Sequence, residues 1–149
     1  MNRIRLQTAI IEEFAPRFAP YARLVYRKLA KGTLALADDE AWRKLGLPVG
    51  TQSHLPDVIL YAPTRRRLYL VERGPISPAR YRELEEMLGG TTVSRIYVSA
   101  FPSFREFSRN GDNIAWETRV WIAEAPDHLI HYDGGKVTPP RRRSKRKTG

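Results

Sequence analysis

LPDVILYAPTRRRLYLVERGPIS, residues 55–77, holds two short apolar runs, Asp57 to Tyr61 and Leu68 to Glu72. Both are rich in β-branched and aromatic residues and are bounded by turn formers, so they predict a hairpin. With Pro63-Thr64-Arg65-Arg66 as the turn, Ala62 pairs with Arg67. The same register then carries Asp57 opposite Glu72. The runs are apolar on both faces, which places them in the middle of a covered sheet rather than at its edge. Past Glu72, Ser77-Pro78 is a helix start, with Ser as the cap and Pro at the first position. That helix presents Tyr81, Leu84 and Leu88 on one side and ends at Gly89-Gly90.

Moving outward, Arg95 to Phe101 predicts a further strand and Pro102 to Phe107 a short helix. Arg119 to Ala123 and His128 to Tyr132 predict the last strands, followed by a turn at Asp133-Gly134-Gly135. On the N-terminal side, Arg3 to Ala15 reads as a helix with Ile4, Ile10, Ile11 and Phe14 on one side, broken by Pro16 and Pro20. Leu24 to Tyr26 and Thr33 to Ala37 predict short strands. Asp38-Asp39-Glu40 opens a short helix, with acids at its positive end, that stops at Gly46. The expected fold is α/β, a mixed central sheet flanked by helices in three layers.

The chain has 149 residues, 42% of them hydrophobic, enough for one compact domain. We expect this domain over residues 1–140 and a basic disordered tail over 141–149. The formal net charge is +10. RRRSKRKTG at 141–149 holds six of the positive charges, and the rest of the chain carries 20 basic and 16 acidic groups. The tail reads either as a salt-sensitive tether to DNA phosphates or as a solvated end. No apolar run is long enough for a membrane helix, and Met1 to Arg5 leads into a charged amphipathic stretch rather than the apolar centre of a secretory signal. Cysteine is absent, which excludes disulfides and thiolate chemistry and fits a reducing cytoplasm.

The sharpest chemical signal is Asp57 with Glu72. Directly opposed strand residues share a face with Cβ atoms about 4.5–5.5 Å apart, and two acids so placed repel unless a cation lies between them. A divalent metal with oxygen ligands, Mg²⁺ first, suits that place, and the chemistry it supports is phosphodiester hydrolysis. The bland alternative is two solvated strand ends. Glu13, on the flank of the first helix, is a candidate accessory acid, with a surface role as its alternative. Arg65 and Arg66, in the hairpin turn, are candidates to grip phosphates beside the metal site. His128 and His131, three apart on a strand, face opposite sides and read as structural, and zinc lacks ligands here. His54, just ahead of the Pro56-Asp57 strand, is a weaker phosphate contact. Trp42, Trp116 and Trp121 read as core before they read as base-stacking platforms.

Longer matches then point to a family. IIEEFAPRFAP at 10–20, LPDVILYAP at 55–63, GPISPARYRELEEML at 74–88, IYVSAFPSFREF at 96–107 and IAWETRVWIAEAPDHLIHYDGGK at 114–136 resemble the BsuBI/PstI restriction endonuclease domain. The resemblance runs from about residue 10 to residue 137. It implies a restriction-endonuclease-like fold of the PD-(D/E)xK type. It also implies Mg²⁺-dependent hydrolysis of double-stranded DNA at a palindromic site by a type II enzyme, with Asp57 and Glu72 as the catalytic, metal-holding acids. Arg17, inside a matched stretch, becomes a DNA-contact candidate. A homodimer and a cognate DNA methyltransferase are the partners open to such an enzyme.

Two departures qualify the resemblance. The family strand continues after its glutamate roughly as Glu-Ala-Val-Thr-Ser-His before Gly-Pro-Ile-Ser, whereas this chain reads Glu72-Arg73-Gly74-Pro75-Ile76-Ser77. Residue 74, where the general pattern has lysine, is glycine. The family's Gly-Asp-Thr segment is also not recognisable between Arg27 and Leu36. The expectation is metal binding with reduced turnover, and the alternative is a catalytically impaired DNA-binding remnant. An N-terminal recognition portion expected of full-length members does not precede these matches, so a fragment, a remnant or half of a split enzyme is expected.

Overall fold

The computed structural model describes residues 1–29, 34–36, 38–48 and 54–134. Seven strands form one mixed sheet in the order β2-β1-β3-β4-β5-β6-β7. They are β1 (Arg23–Lys28), β2 (Leu34–Leu36), β3 (Val58–Ala62), β4 (Arg67–Arg73), β5 (Ser94–Phe101), β6 (Thr118–Ile122) and β7 (Leu129–Tyr132). The β4–β5 and β5–β6 pairs are parallel and the others antiparallel. The central hairpin takes the expected register, with Ala62 opposite Arg67 and Val58 opposite Val71. Arg66 closes its turn in the left-handed region at φ 50°.

Strand alternation divides the core between two faces. Val58, Leu60, Tyr69 and Val71 point to one side, where Leu6, Ile10 and Phe14 of the N-terminal helical segment cover them. Ile59, Leu68 and Leu70 point to the other, under Trp42, Leu84 and Leu88. Those last residues belong to α3 (Asp39–Lys44) and α4 (Pro78–Leu88), while α5 (Phe104–Asn110) follows β5. The α/β expectation of a covered mixed sheet holds.

The N-terminal segment departs from its expectation at Pro16. It runs as α1 (Arg3–Ala9), a π-helical turn (Ile10–Phe14) and α2 (Ala15–Phe18) without a break. The Ala15 N–H reaches back to the Ile10 carbonyl, and this widened turn lets the helix pass a residue that has no N–H to give. Ile4 is exposed and Leu6 buried, so the apolar face begins later than the wheel suggests. Thr33, Ala37, Gly135 and the tail at 141–149 lie outside the described residues.

The Ser77 hydroxyl accepts from the Arg80 N–H at 3.1 Å and starts α4 as expected. Arg95 of β5 then grips Glu85 of α4 through two hydrogen bonds of 2.9 and 3.0 Å, and the Tyr97 hydroxyl donates to the same carboxylate. The Arg95 hydrogen bond holds the Glu85 carboxyl below its usual value of 4.5, against the opposing effect of burial. A depressed folded-state pKa contributes stability above the unfolded value and loses it as pH falls through the folded one. Urea unfolding at pH 7 and pH 3 is therefore expected to show a loss of about 1 kcal/mol at the acid end that Glu85→Gln removes, the pair being partly exposed and screened.

Candidate active site

Neighbouring strands bring three charged residues into a row at one end of the sheet. Beyond the Arg27–Val58 pair, the Lys28 N–H donates to the Asp57 carbonyl at 2.8 Å. Beyond Val58–Val71, the last pair of the hairpin, Asp57 and Glu72 follow at the same end of the two strands. Lys28, Asp57 and Glu72 line one hollow of about 300 Å³, together with Arg3, His54, Arg73, Arg80 and Glu83. Its walls are almost wholly polar.

Both acids are already engaged. Asp57 is 4% exposed. One carboxylate oxygen accepts from the Arg73 backbone N–H at 2.8 Å. The other faces Arg3 Nε at 3.2 Å and Gln7 Nε2 at 3.4 Å. Glu72 is held by Arg80 through Nε at 2.9 and 3.1 Å and through Nη2 at 2.7 Å. Arg80 also donates to Glu83 at 2.7 Å and to the His54 carbonyl at 2.8 Å. Burial works against the Arg80 charge, but the hydrogen bonds and charges of Glu72 and Glu83 raise its pKa. Burial lowers the pKa of the Lys28 amine, against the pull of Asp57. The repulsion between the acids, from which the sequence argument inferred a metal, is thus met in this structure by guanidinium groups and a backbone N–H.

The donor set nonetheless fits a hard divalent cation. Mg²⁺ is commonly bound by one or two carboxylates, with waters and substrate phosphates completing its octahedron. Asp57 and Glu72 supply that number of carboxylates in one polar hollow. No group of three acids, histidines or cysteines suited to a metal occurs among the described residues, so no closed, all-protein cage is present there.

Gly74 has φ 84° and donates its N–H to the Ala100 carbonyl at 2.9 Å. That left-handed turn, followed by Pro75, ends β4 early, as the shortened segment predicts. Arg73 takes the alternate face. Its guanidinium donates to the Met1 carbonyl at 3.0 Å and lies 3.6 Å from Glu106.

Glu13, Arg17, Arg65 and Arg66 do not converge on the acids. Glu13 borders a separate shallow hollow with Met1, Arg5, Thr8, Ala9 and Glu12, and Gln7 takes the inward position towards Asp57. Arg17 donates to Asp127 at 2.6 Å and to the Glu13 carbonyl at 2.9 Å. Arg65 and Arg66 sit at the hairpin turn, at the opposite end of β3 and β4 from Asp57 and Glu72. At about 3.3 Å per strand residue that is roughly 17 Å away, so they do not flank the acids as expected. His54 lines the hollow of the acids with its ring 3.9 Å from Glu83, and His131 lies 3.6 Å from Asp133. Trp42 and Trp121 are core, whereas Trp116 is exposed.

The sequence reading missed Arg80, Gln7 and Lys28. A signal for Arg80 was present. It lies three residues past the Ser77 cap, and the connection from β4 is so short that the first turn of α4 must fall near Glu72. Lys28 carried no such signal. A bulge between Leu24 and Tyr26 resets the β1 register, and with it which residues share the face of Asp57.

A family model for the BsuBI/PstI restriction endonuclease domain matches residues 2–135. The chain belongs to this family. Among curated relatives, it is 40% identical to "Type II restriction enzyme BsuBI" of Bacillus subtilis over 136 residues, covering 89% of this chain and 43% of that protein. It is 31% identical to "Type II restriction enzyme AplI" of Arthrospira platensis over 112 residues, covering 70% of this chain and 35% of the relative. The solved structure of SdaI restriction endonuclease matches 94% of this chain and 46% of its own, with a TM-score of 0.81 and 31% identity. The restriction-endonuclease-like fold is thereby established. The chain spans less than half the length of each of these relatives.

Proposed function

We propose that this chain is the catalytic domain of a type II restriction endonuclease, a site-specific deoxyribonuclease that hydrolyses double-stranded DNA at a palindromic site with Mg²⁺. The observation that carries this reading is the convergence of Asp57 and Glu72 in one cation-lined polar hollow. The two carboxylates would hold the metal, with Arg80 releasing part of its grip on Glu72. A divalent ion held there would offset negative charge on the phosphate and make a bound water more acidic. Arg73 and Gln7 orient the Asp57 carboxylate, and the surrounding cations favour entry of a polyanion. Arg17, Arg65, Arg66 and the basic residues at 141–149 are proposed contacts to the DNA backbone. Glu13 is a proposed accessory acid, brought to the site by movement of the N-terminal helix on DNA binding. A homodimer, a companion methyltransferase and a cytoplasmic setting complete the reading. Among the described residues no helix is long and apolar enough to cross a membrane.

Supercoiled plasmid incubated with the protein is expected to be nicked and linearised in Mg²⁺ and left intact in EDTA. No cleavage with any divalent metal would overturn the nuclease reading. It would leave the second one, a DNA-binding remnant, which is favoured by Arg80 occupying both Glu72 oxygens and by glycine at position 74. That remnant would show salt-sensitive binding without nicking.

A further inference from the structure

We propose that Lys28 supplies the positive charge for the reacting phosphate that the active-site strand, with glycine at position 74, does not provide, an assignment that rests on the nuclease reading. The hollow around Asp57 and Glu72 contains several cations, and their contacts separate them. Arg80 spends its donors on Glu72, Glu83 and the His54 carbonyl. Arg73 directs its guanidinium to the Met1 carbonyl and Glu106. Arg3 is paired with Asp57, its side chain 52% exposed. Lys28 also lines the hollow, yet among the described residues its amine makes no hydrogen bond and no ion pair.

The backbone explains how it arrives there. The bulge in β1 lets Arg27 face α1, where it donates to Gln7 and Thr8. Lys28, the next residue, therefore turns to the opposite side of the sheet, the side of Asp57 and Glu72. Its N–H to the Asp57 carbonyl locks the two residues side by side. A lysine amine has three donors on a flexible stem and makes a point-charge contact to phosphate. On the other flank of the acids, position 74 is a glycine in a left-handed turn and offers no side chain. The charge is thus supplied from β1, across Asp57, instead of from β4. During hydrolysis the Lys28 ammonium holds a non-bridging phosphate oxygen while a water oxygen bonds to phosphorus and gives a proton to solvent, the P–O ester bond breaks, and the departing oxygen takes a proton from solvent.

Two measurements test this assignment. In single-turnover cleavage, Lys28→Met is expected to slow the reaction by about 10²–10³ with a far smaller loss of duplex affinity in EDTA, that of one phosphate contact, and Lys28→Arg to recover part of the loss. Acetylation of the wild-type protein with an amine-reactive ester, read by mass spectrometry without metal, is expected to modify Lys28 and to be blocked there by duplex DNA. Wild-type cleavage rates in Lys28→Met, or Lys28 acetylated equally with and without saturating duplex, overturns the proposal. If the wild-type protein fails to cleave with every divalent metal tested, the nuclease reading fails, and the acetylation pattern alone decides whether Lys28 meets the phosphate. The same pattern decides it if Lys28→Met does not fold.

Discussion

Asp57→Asn is expected to lower the rate of metal-dependent DNA cleavage by about 10²–10³ or more, the scale set by removing one preorganised electrostatic group. The substitution separates charge from structure. Asparagine keeps an oxygen to accept from the Arg73 N–H, so the junction between β3 and the end of β4 keeps its hydrogen bond. It loses the negative charge that faces Arg3, but an ion pair to a half-exposed arginine contributes little stability. It also loses the carboxylate that a hard cation needs. Asp57→Asn should therefore melt near the wild-type temperature while binding divalent metal weakly and cleaving poorly. Rates come from single-turnover assays and metal affinity from calorimetry. Cleavage at the wild-type rate by a folded Asp57→Asn protein would remove Asp57 from the site.

Phe14→Ala should have the largest effect on stability, about 3–5 kcal/mol, from lost transfer energy plus the cavity left behind. Phe14 is fully buried. Its ring centroid lies 5.6 Å from Phe18, 6.2 Å from Tyr69 and 5.8 Å from Trp121, with the last two contacts edge-on. That cluster clamps the N-terminal helical segment onto the sheet. The same segment carries Gln7 and Arg3 to Asp57, so loosening it should disturb the acid end as well. For a domain of this length the melting temperature is expected to fall by about 10 °C. A loss below about 1 kcal/mol in urea unfolding, within the range of ordinary substitutions, would show that the helix is held by other contacts.

The hairpin at residues 55–77 was legible because its information is local. Strand parity, the turn residues and the apolar runs together specify one register, and the structure has it. The Ser77 cap and the early end of the strand at Gly74-Pro75 were legible for the same reason. The helix through Pro16 was not. A proline breaks a regular helix, and only the π-helical turn before it, stabilised by packing of Phe14, lets the chain continue. Neighbours in sequence also misled for Arg65 and Arg66, which lie close to both acidic strands along the chain but at the far end of them in space.

By itself, then, the sequence determined a covered mixed sheet, the register that sets Asp57 beside Glu72, and the point at which β4 stops. Each of these follows from interactions between residues a few positions apart, where alternation and turn chemistry leave few alternatives. Only the tertiary structure decided what surrounds the two acids. Arg3, Gln7, Lys28 and Arg80 come from α1, β1 and α4, and they meet at Asp57 and Glu72 because a bulge shifts one strand and the helices pack on opposite faces of the sheet. Such contacts depend on how elements dock, and no periodicity along the chain records it.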